Sequence, residues 1–157
     1  MQGLSHDAFL CGRLHLWQPT DGYRAATDPV LLAAACPAEP GQSVLDLGCG
    51  AGAAALCLAA RVPGLRLAGL ELQADYAELA RRNAAENGIA MQVELGNLTD
   101  MPRALRIDFD HVIANPPYYP RGGTPVRMRA APRRCKLKPR CRPGSRRRRG
   151  GLRRAGG

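Results

Sequence analysis

Residues 43 to 61 leave this chain few choices of fold. The apolar run Ser43-Val44-Leu45-Asp46-Leu47 stops at Gly48-Cys49-Gly50-Ala51-Gly52, and an alanine- and leucine-rich stretch, Ala53 to Arg61, follows at once. Strand, glycine turn and immediate helix form the first half of a βαβ unit, which must be completed by a parallel strand. The apolar segment 65–70, ending on Glu71, supplies one. The alternation continues with a helix over 74–87 stopped by Gly88, a strand over 90–95 and a strand over 109–114. Upstream, residues 13–18 alternate polar and apolar and predict an N-terminal strand. Asp28-Pro29 opens a helix through Cys36, with Asp28 as N-cap and Pro29 at the first helical position. The fold class is therefore α/β, a parallel sheet with helices on both faces.

A glycine turn that opens a helix is a place to hold an adenosine-bearing cofactor, since its backbone can approach the ligand closely. Gly48-x-Gly50-x-x-Ala53 also passes as a relaxed dinucleotide fingerprint. Asp46, two residues ahead of the first glycine, tilts the choice. A buried acid there suits a cationic ligand better than a pyrophosphate, and S-adenosylmethionine carries a sulfonium and an ammonium group. Glu71 stands at roughly the spacing at which an acid accepts ribose hydroxyls.

The second informative stretch is His111-Val-Ile-Ala-Asn-Pro-Pro-Tyr118. Its short strand ends on Asn115-Pro116-Pro117-Tyr118, which offers the Asn115 side-chain carbonyl, the Pro116 backbone carbonyl, stiff main chain and an aromatic ring. Two acceptors beside a ring suit a planar group bearing an amine. Taken alone, the segment reads equally as a strand exit punctuated by prolines.

Asp46-Leu-Gly-Cys-Gly-Ala-Gly52, Glu71 and Asn115-Pro-Pro-Tyr118, in that order and spacing, resemble the class I S-adenosylmethionine-dependent methyltransferases. The stretch from Phe9 through Gln18-Pro-Thr-Asp-Gly-Tyr-Arg24 to Leu32 is similar to those that methylate an adenine amine next to the anticodon of a valine transfer RNA. The likeness covers residues 9 to about 125. It implies a Rossmann-like sheet with the strands in the order third, second, first, fourth. It implies S-adenosylmethionine as cofactor, with Asp46, Gly48, Gly50 and Gly52 shaping the methionine and ribose part of the site and Glu71 on the ribose hydroxyls. Asn97 would meet the adenine; the family usually has Gly-Asp where this chain has Gly96-Asn97. Asn115 and Pro116 would accept hydrogen bonds from the target amine, Pro117 would stiffen the clamp and Tyr118 would stack on a flipped base. Gln18, Tyr23 and Asp28 are further candidates near the site. A glutamine amide in release factors is the alternative target, and the Gln18–Arg24 stretch argues against it. Transfer RNA is the expected partner and a monomer the expected state.

Charge divides the chain. Residues 1–120 hold 8 of the 23 Lys and Arg and all 13 Asp and Glu, a net of −5; residues 121–157 hold 15 basic residues and no acid. The tail contains Arg146-Arg147-Arg148-Arg149 and four prolines, too few large apolar groups to offset its ordering entropy. We expect three segments: 1–40, an N-terminal strand and helix; 41–120, a partial methyltransferase core truncated after its fourth strand; and 121–157, a disordered basic tail. An arm of this kind binds nucleic acid through phosphates. The abrupt change after Gly122-Gly123-Thr124-Pro125 fits out-of-frame translation of a GC-rich gene better, and truncation at that point is expected to weaken cofactor binding and activity and to leave the fourth strand as a bare apolar edge, an inactive or merely RNA-binding fragment being the remaining alternative.

Neither a signal peptide nor a membrane-spanning stretch is legible, so a cytoplasmic protein is expected. Cys11, Cys36, Cys49 and Cys57 are expected as small buried thiols; Cys135 and Cys141 lack zinc spacing. His6, His15 and His111 are scattered, and no metal site is expected.

Overall fold

The computed structural model of the chain describes residues 3–116; Pro117, Tyr118 and the basic tail lie outside the described residues. Strands β1 (Leu4–Phe9) and β2 (Leu14–Pro19) form an antiparallel hairpin. Then come α1 (Asp28–Ala35), β3 (Ser43–Leu47), α2 (Ala53–Arg61), β4 (Arg66–Glu71), α3 (Ala74–Glu86), β5 (Met91–Leu95) and β6 (His111–Ala114). The last four strands make a parallel sheet in the order β5-β4-β3-β6, the third-second-first-fourth arrangement expected.

The two sheet faces are covered unequally. Val44, Leu67 and Ile113 pack beneath α2, whose residues Ala53 through Leu58 are all buried. Val93 meets Ala77 and Ala80 of α3. The opposite face, Leu45, Ala68 and Leu70, packs on Leu105 of a 3-10 turn (Arg103–Leu105), with Leu47, Met101 and Phe109 at its margin. Among the described residues β6 is an edge strand, paired with β3 alone, and Val112 on it is 57% exposed. Helix α3 ends as its sequence predicts. Gly88 takes φ +64°, its N–H bonds Ala85 O, and Ile89 N–H reaches Ala84 O, a complete Schellman motif.

Three sequence expectations need correction. Helix α1 starts at Asp28, so Thr27 rather than Asp28 is its N-cap; Asp28 lies in the first turn, where its charge still meets the positive helix end. Cys11 is exposed, because it occupies the tight turn between β1 and β2 with φ +57° instead of packing inward; Cys36, Cys49 and Cys57 are buried as expected. Strand β1 was not predicted, since Ser5-His6-Asp7 shows no apolar alternation.

That hairpin is docked by side-chain amides. Asn83 accepts from Trp17 N–H (2.8 Å) and donates to Trp17 O (3.0 Å); Asn87, one turn later on α3, does the same for His15 N–H (2.9 Å) and O (2.7 Å). Residues four apart on a helix rise about 6 Å, and residues two apart on a strand about 6.6 Å, so two asparagines act as a substitute edge strand for β2. Asn83 is fully buried and also donates to Ala51 O at 2.9 Å, tying the hairpin to the glycine turn. Around this seam His6 stacks on Trp17 with ring centroids 4.4 Å apart, and Arg82 lies 4.0 Å from the Trp17 ring. Asn83→Ala is expected to destabilise the chain by about 3 kcal/mol, since it strands three main-chain groups, and Asn87→Ala by about 1 kcal/mol at its more exposed position. Urea unfolding of both variants checks this; equal effects would mean that the buried bonds are not what holds the hairpin.

Candidate active site

The carboxyl ends of β3, β4 and β6 meet the N-terminus of α2, the position at which open parallel sheets bind ligands. Leu47 pairs with Ala114, so Gly48 and Asn115 follow side by side and line one cleft with Tyr23, Tyr76, Gln18 and Cys49. Its open space is about 360 Å³ when the mouth and adjoining solvent are included. Gly48 and Gly50 have φ of +69° and +56°, and a side chain at either would meet no atom within 4 Å. These glycines are set by backbone conformation, and with no side chain they leave room for a ligand to approach the turn closely, while the N–H groups of Gly48 and Gly50 are themselves taken by Leu70 O and Glu71. Gly52, the N-cap of α2, takes φ +85°, again the left-handed conformation that favours glycine; a Cβ there would make only ordinary contacts with Leu56 and Ala80, at 3.4 and 3.5 Å.

Asp46 lies just below this turn at 2% exposure, and its Oδ2 has no hydrogen-bond partner among the described residues. Burial pushes its carboxyl up to about 7; a backbone N–H at Ala55, in the first turn of α2, pulls it down, and the charge of Glu71 adds to the rise. Glu71 is 6% exposed, and its two oxygens accept from Gly50 N–H (2.8 Å) and Gln73 N–H (2.9 Å). The carboxylate thus fixes the turn it neighbours while each oxygen keeps a lone pair for a further donor. Sequence spacing gave no sign of this second duty. Asn97 stands past the end of β5, exposed, and caps its own turn by accepting from Thr99 N–H at 3.0 Å. Burial holds the Cys49 thiol protonated, so it serves as packing.

Asn115 ends β6. Its Nδ2 donates to Tyr23 Oη at 2.9 Å, and no donor among the described residues occupies Oδ1. Pro116 follows, exposed; Pro117 and Tyr118 are outside the described residues. Of the N-terminal candidates, Tyr23 and Gln18 reach the cleft. Gln18 is 2% exposed, but its amide is committed to Asp7 (2.9 Å) and to Ala25 N–H (2.7 Å). Arg24 joins Asp7 at 2.6 Å, so Gln18 and Arg24 anchor the segment that carries Tyr23 across the cleft. Asp28 acts on Tyr23 through its charge. Tyr76 was not singled out from sequence: its hydroxyl donates to Tyr23 O at 3.0 Å from α3, a contact no local pattern announces. No group of three or more metal-ligating side chains occurs among the described residues, and no described helix is long and apolar enough to cross a membrane.

Comparison with known proteins agrees with this geometry. The chain is 35% identical over 99 residues to the tRNA1(Val) (adenine(37)-N6)-methyltransferase of Yersinia enterocolitica, covering 61% of this chain and 39% of that protein. It is 42% identical over 78 residues to the release factor glutamine methyltransferase of Aliivibrio fischeri, covering 49% of this chain and 27% of that one. The chain thus spans less than half the length of either relative. The crystal structure of TrmN from Thermus thermophilus superimposes with a TM-score of 0.51 at 28% identity, over 57% of this chain and 27% of that one. Residues 26–130 match the methyltransferase small domain. With its 3-2-1-4 parallel sheet and its glycine turn above a buried acid, the chain belongs to the methyltransferase small domain family.

Proposed function

We propose that this chain forms the cofactor and amine-binding end of an S-adenosylmethionine-dependent N-methyltransferase whose target is an exocyclic adenine amine of a transfer RNA. The observation that carries the reading is the pairing, across β3 and β6, of an orphaned buried carboxylate with an amide whose carbonyl oxygen is left to accept. Asp46 Oδ2 fits a cationic ligand, and the open glycine turn admits its close approach. Asp46, Gly48, Gly50, Gly52, Glu71 and Asn97 would hold S-adenosylmethionine, which when bound supplies an electrophilic sulfonium methyl.

The rest is positioning by this chain. An exocyclic adenine amine is a poor nucleophile because its lone pair is delocalised into the ring. Accepting its two hydrogens on Asn115 Oδ1 and Pro116 O favours a pyramidal nitrogen and frees that lone pair. No strong base is needed at this stage; preorganised carbonyl dipoles and orientation do the work. Tyr118 is the residue proposed to stack on the base, with Pro117 stiffening the backbone between.

A glutamine amide presents two N–H hydrogens in the same way, and the 42% identity to a release factor enzyme favours it as second reading. Purified chain with methyl-labelled S-adenosylmethionine should label a valine transfer RNA transcript as N6-methyladenosine and leave a release-factor fragment unlabelled. Label confined to the glutamine of the fragment would replace the first reading by the second. Label in neither would refute both.

A further inference from the structure

Tyr23 is held at the cleft mouth by two contacts that burial does not explain. It is 47% exposed, so its ring is no core residue. Its main-chain carbonyl accepts from Tyr76 on α3, and its hydroxyl accepts from Asn115 at the end of β6, 92 positions away in sequence. The neighbouring Gly22 takes φ +104°, and a Cβ there would stand 3.2 Å from Tyr76 Oη, so the glycine permits this seating.

An asparagine amide has two ends of nearly equal shape and opposite polarity. Turned one way, Asn115 presents an acceptor to an incoming amine. Turned the other, it presents N–H against N–H, and the amine is repelled. Since the acceptor role rests on this choice, something must fix it. We infer that Tyr23 is a positioning residue for the proposed methyl transfer, its hydroxyl engaging Asn115 Nδ2 so that Oδ1 is the atom offered to the amine.

A phenol can donate or accept, so the direction of this bond needs a cause. Burial first, and then the negative charges of Asp28 and Asp46, hold the hydroxyl protonated above the usual phenol range. That field favours the hydroxyl hydrogen turned toward the acids and an oxygen lone pair toward the amide. The inference rests on the N-methyltransferase reading and extends it to a residue that lines the cleft beside the proposed acceptor.

Tyr23→Phe keeps the ring and removes the hydroxyl. On the valine transfer RNA transcript, kcat should fall about five- to tenfold, the worth of one hydrogen bond, with KM for RNA and for S-adenosylmethionine within about twofold. In an Asn115→Ala background the same substitution should cost nothing more, because its effect is transmitted through the amide. The Asn115 side-chain amide NMR resonances, assigned by their loss in Asn115→Ala, should move and exchange faster in Tyr23→Phe. An equal loss of kcat in both backgrounds, or unchanged kcat in Tyr23→Phe, would overturn the inference. So would unmoved amide resonances, whatever the activity. If the wild-type chain methylates neither RNA nor glutamine, the enzymatic reading fails, and the resonances alone decide whether Tyr23 holds the amide.

Discussion

Asn115→Ala is expected to lower methyl transfer by about two to three orders of magnitude while leaving the dissociation constant for S-adenosylmethionine within about twofold, because the interaction proposed for Asn115 is with the reacting amine and not with the cofactor. The residue stands at the end of β6, partly exposed, with its carbonyl oxygen open. Truncation leaves no buried group stranded: the partner it abandons, Tyr23 Oη, sits at the cleft mouth and can turn to water. Stability should therefore change by less than about 1 kcal/mol, so a loss of turnover would not be a loss of fold. The measurement needs both constants on each protein, turnover on the transfer RNA transcript and cofactor affinity by calorimetry. Near-normal turnover would reduce Asn115-Pro116 to a strand exit. Equal losses in turnover and cofactor affinity would place Asn115 in the cofactor site.

How much of this was legible before the structure follows from where each signal resides. Strands β3 to β5 and helices α2 and α3 fall within a residue or so of the sequence reading, because glycine turns and apolar runs are local signals. Asp46 was readable as a buried acid, since an acid inside an apolar run that ends in glycines can only be held in the core. Its orphaned Oδ2 was not, because that depends on what α2 places above it. The bonds from Glu71 to Gly50 and Gln73 were equally hidden: a carboxylate that organises a turn and one that awaits a ribose have the same sequence spacing. The longest-range contacts were the least legible. Tyr23 meets Asn115, and Asn83 and Asn87 pair with β2, across 66 to 92 positions, and neither depends on periodicity or composition. Strand β1 is a third case. Its polar residues carry no alternation because it owes its conformation to pairing with β2 and to the clasp around Trp17.

Asp46 should separate stability from function by sign. Its folded carboxyl titrates near 7 against an ordinary value of 3.8. Between those values the native chain keeps a proton that the unfolded chain sheds, so the contribution of Asp46 to stability is greatest below about pH 4, falls as pH rises toward 7 and is level above it. Asp46→Asn removes that loss. The variant is expected to be more stable than wild type by about 3 kcal/mol at pH 8 and no more stable at pH 3.5, a gap that thermal or urea unfolding at the two pH values would read. Affinity for S-adenosylmethionine should move the other way. A cationic ligand needs the ionised carboxylate, so wild-type binding should strengthen as pH rises through about 7, whereas the amide variant should bind about 10- to 100-fold more weakly at pH 8 and show no such step. A buried charge kept at a cost in stability is the mark of a group retained for its ligand. A variant that is less stable at pH 8, or that binds the cofactor as wild type does, would show instead that Asp46 is a structural acid serving the N-terminus of α2.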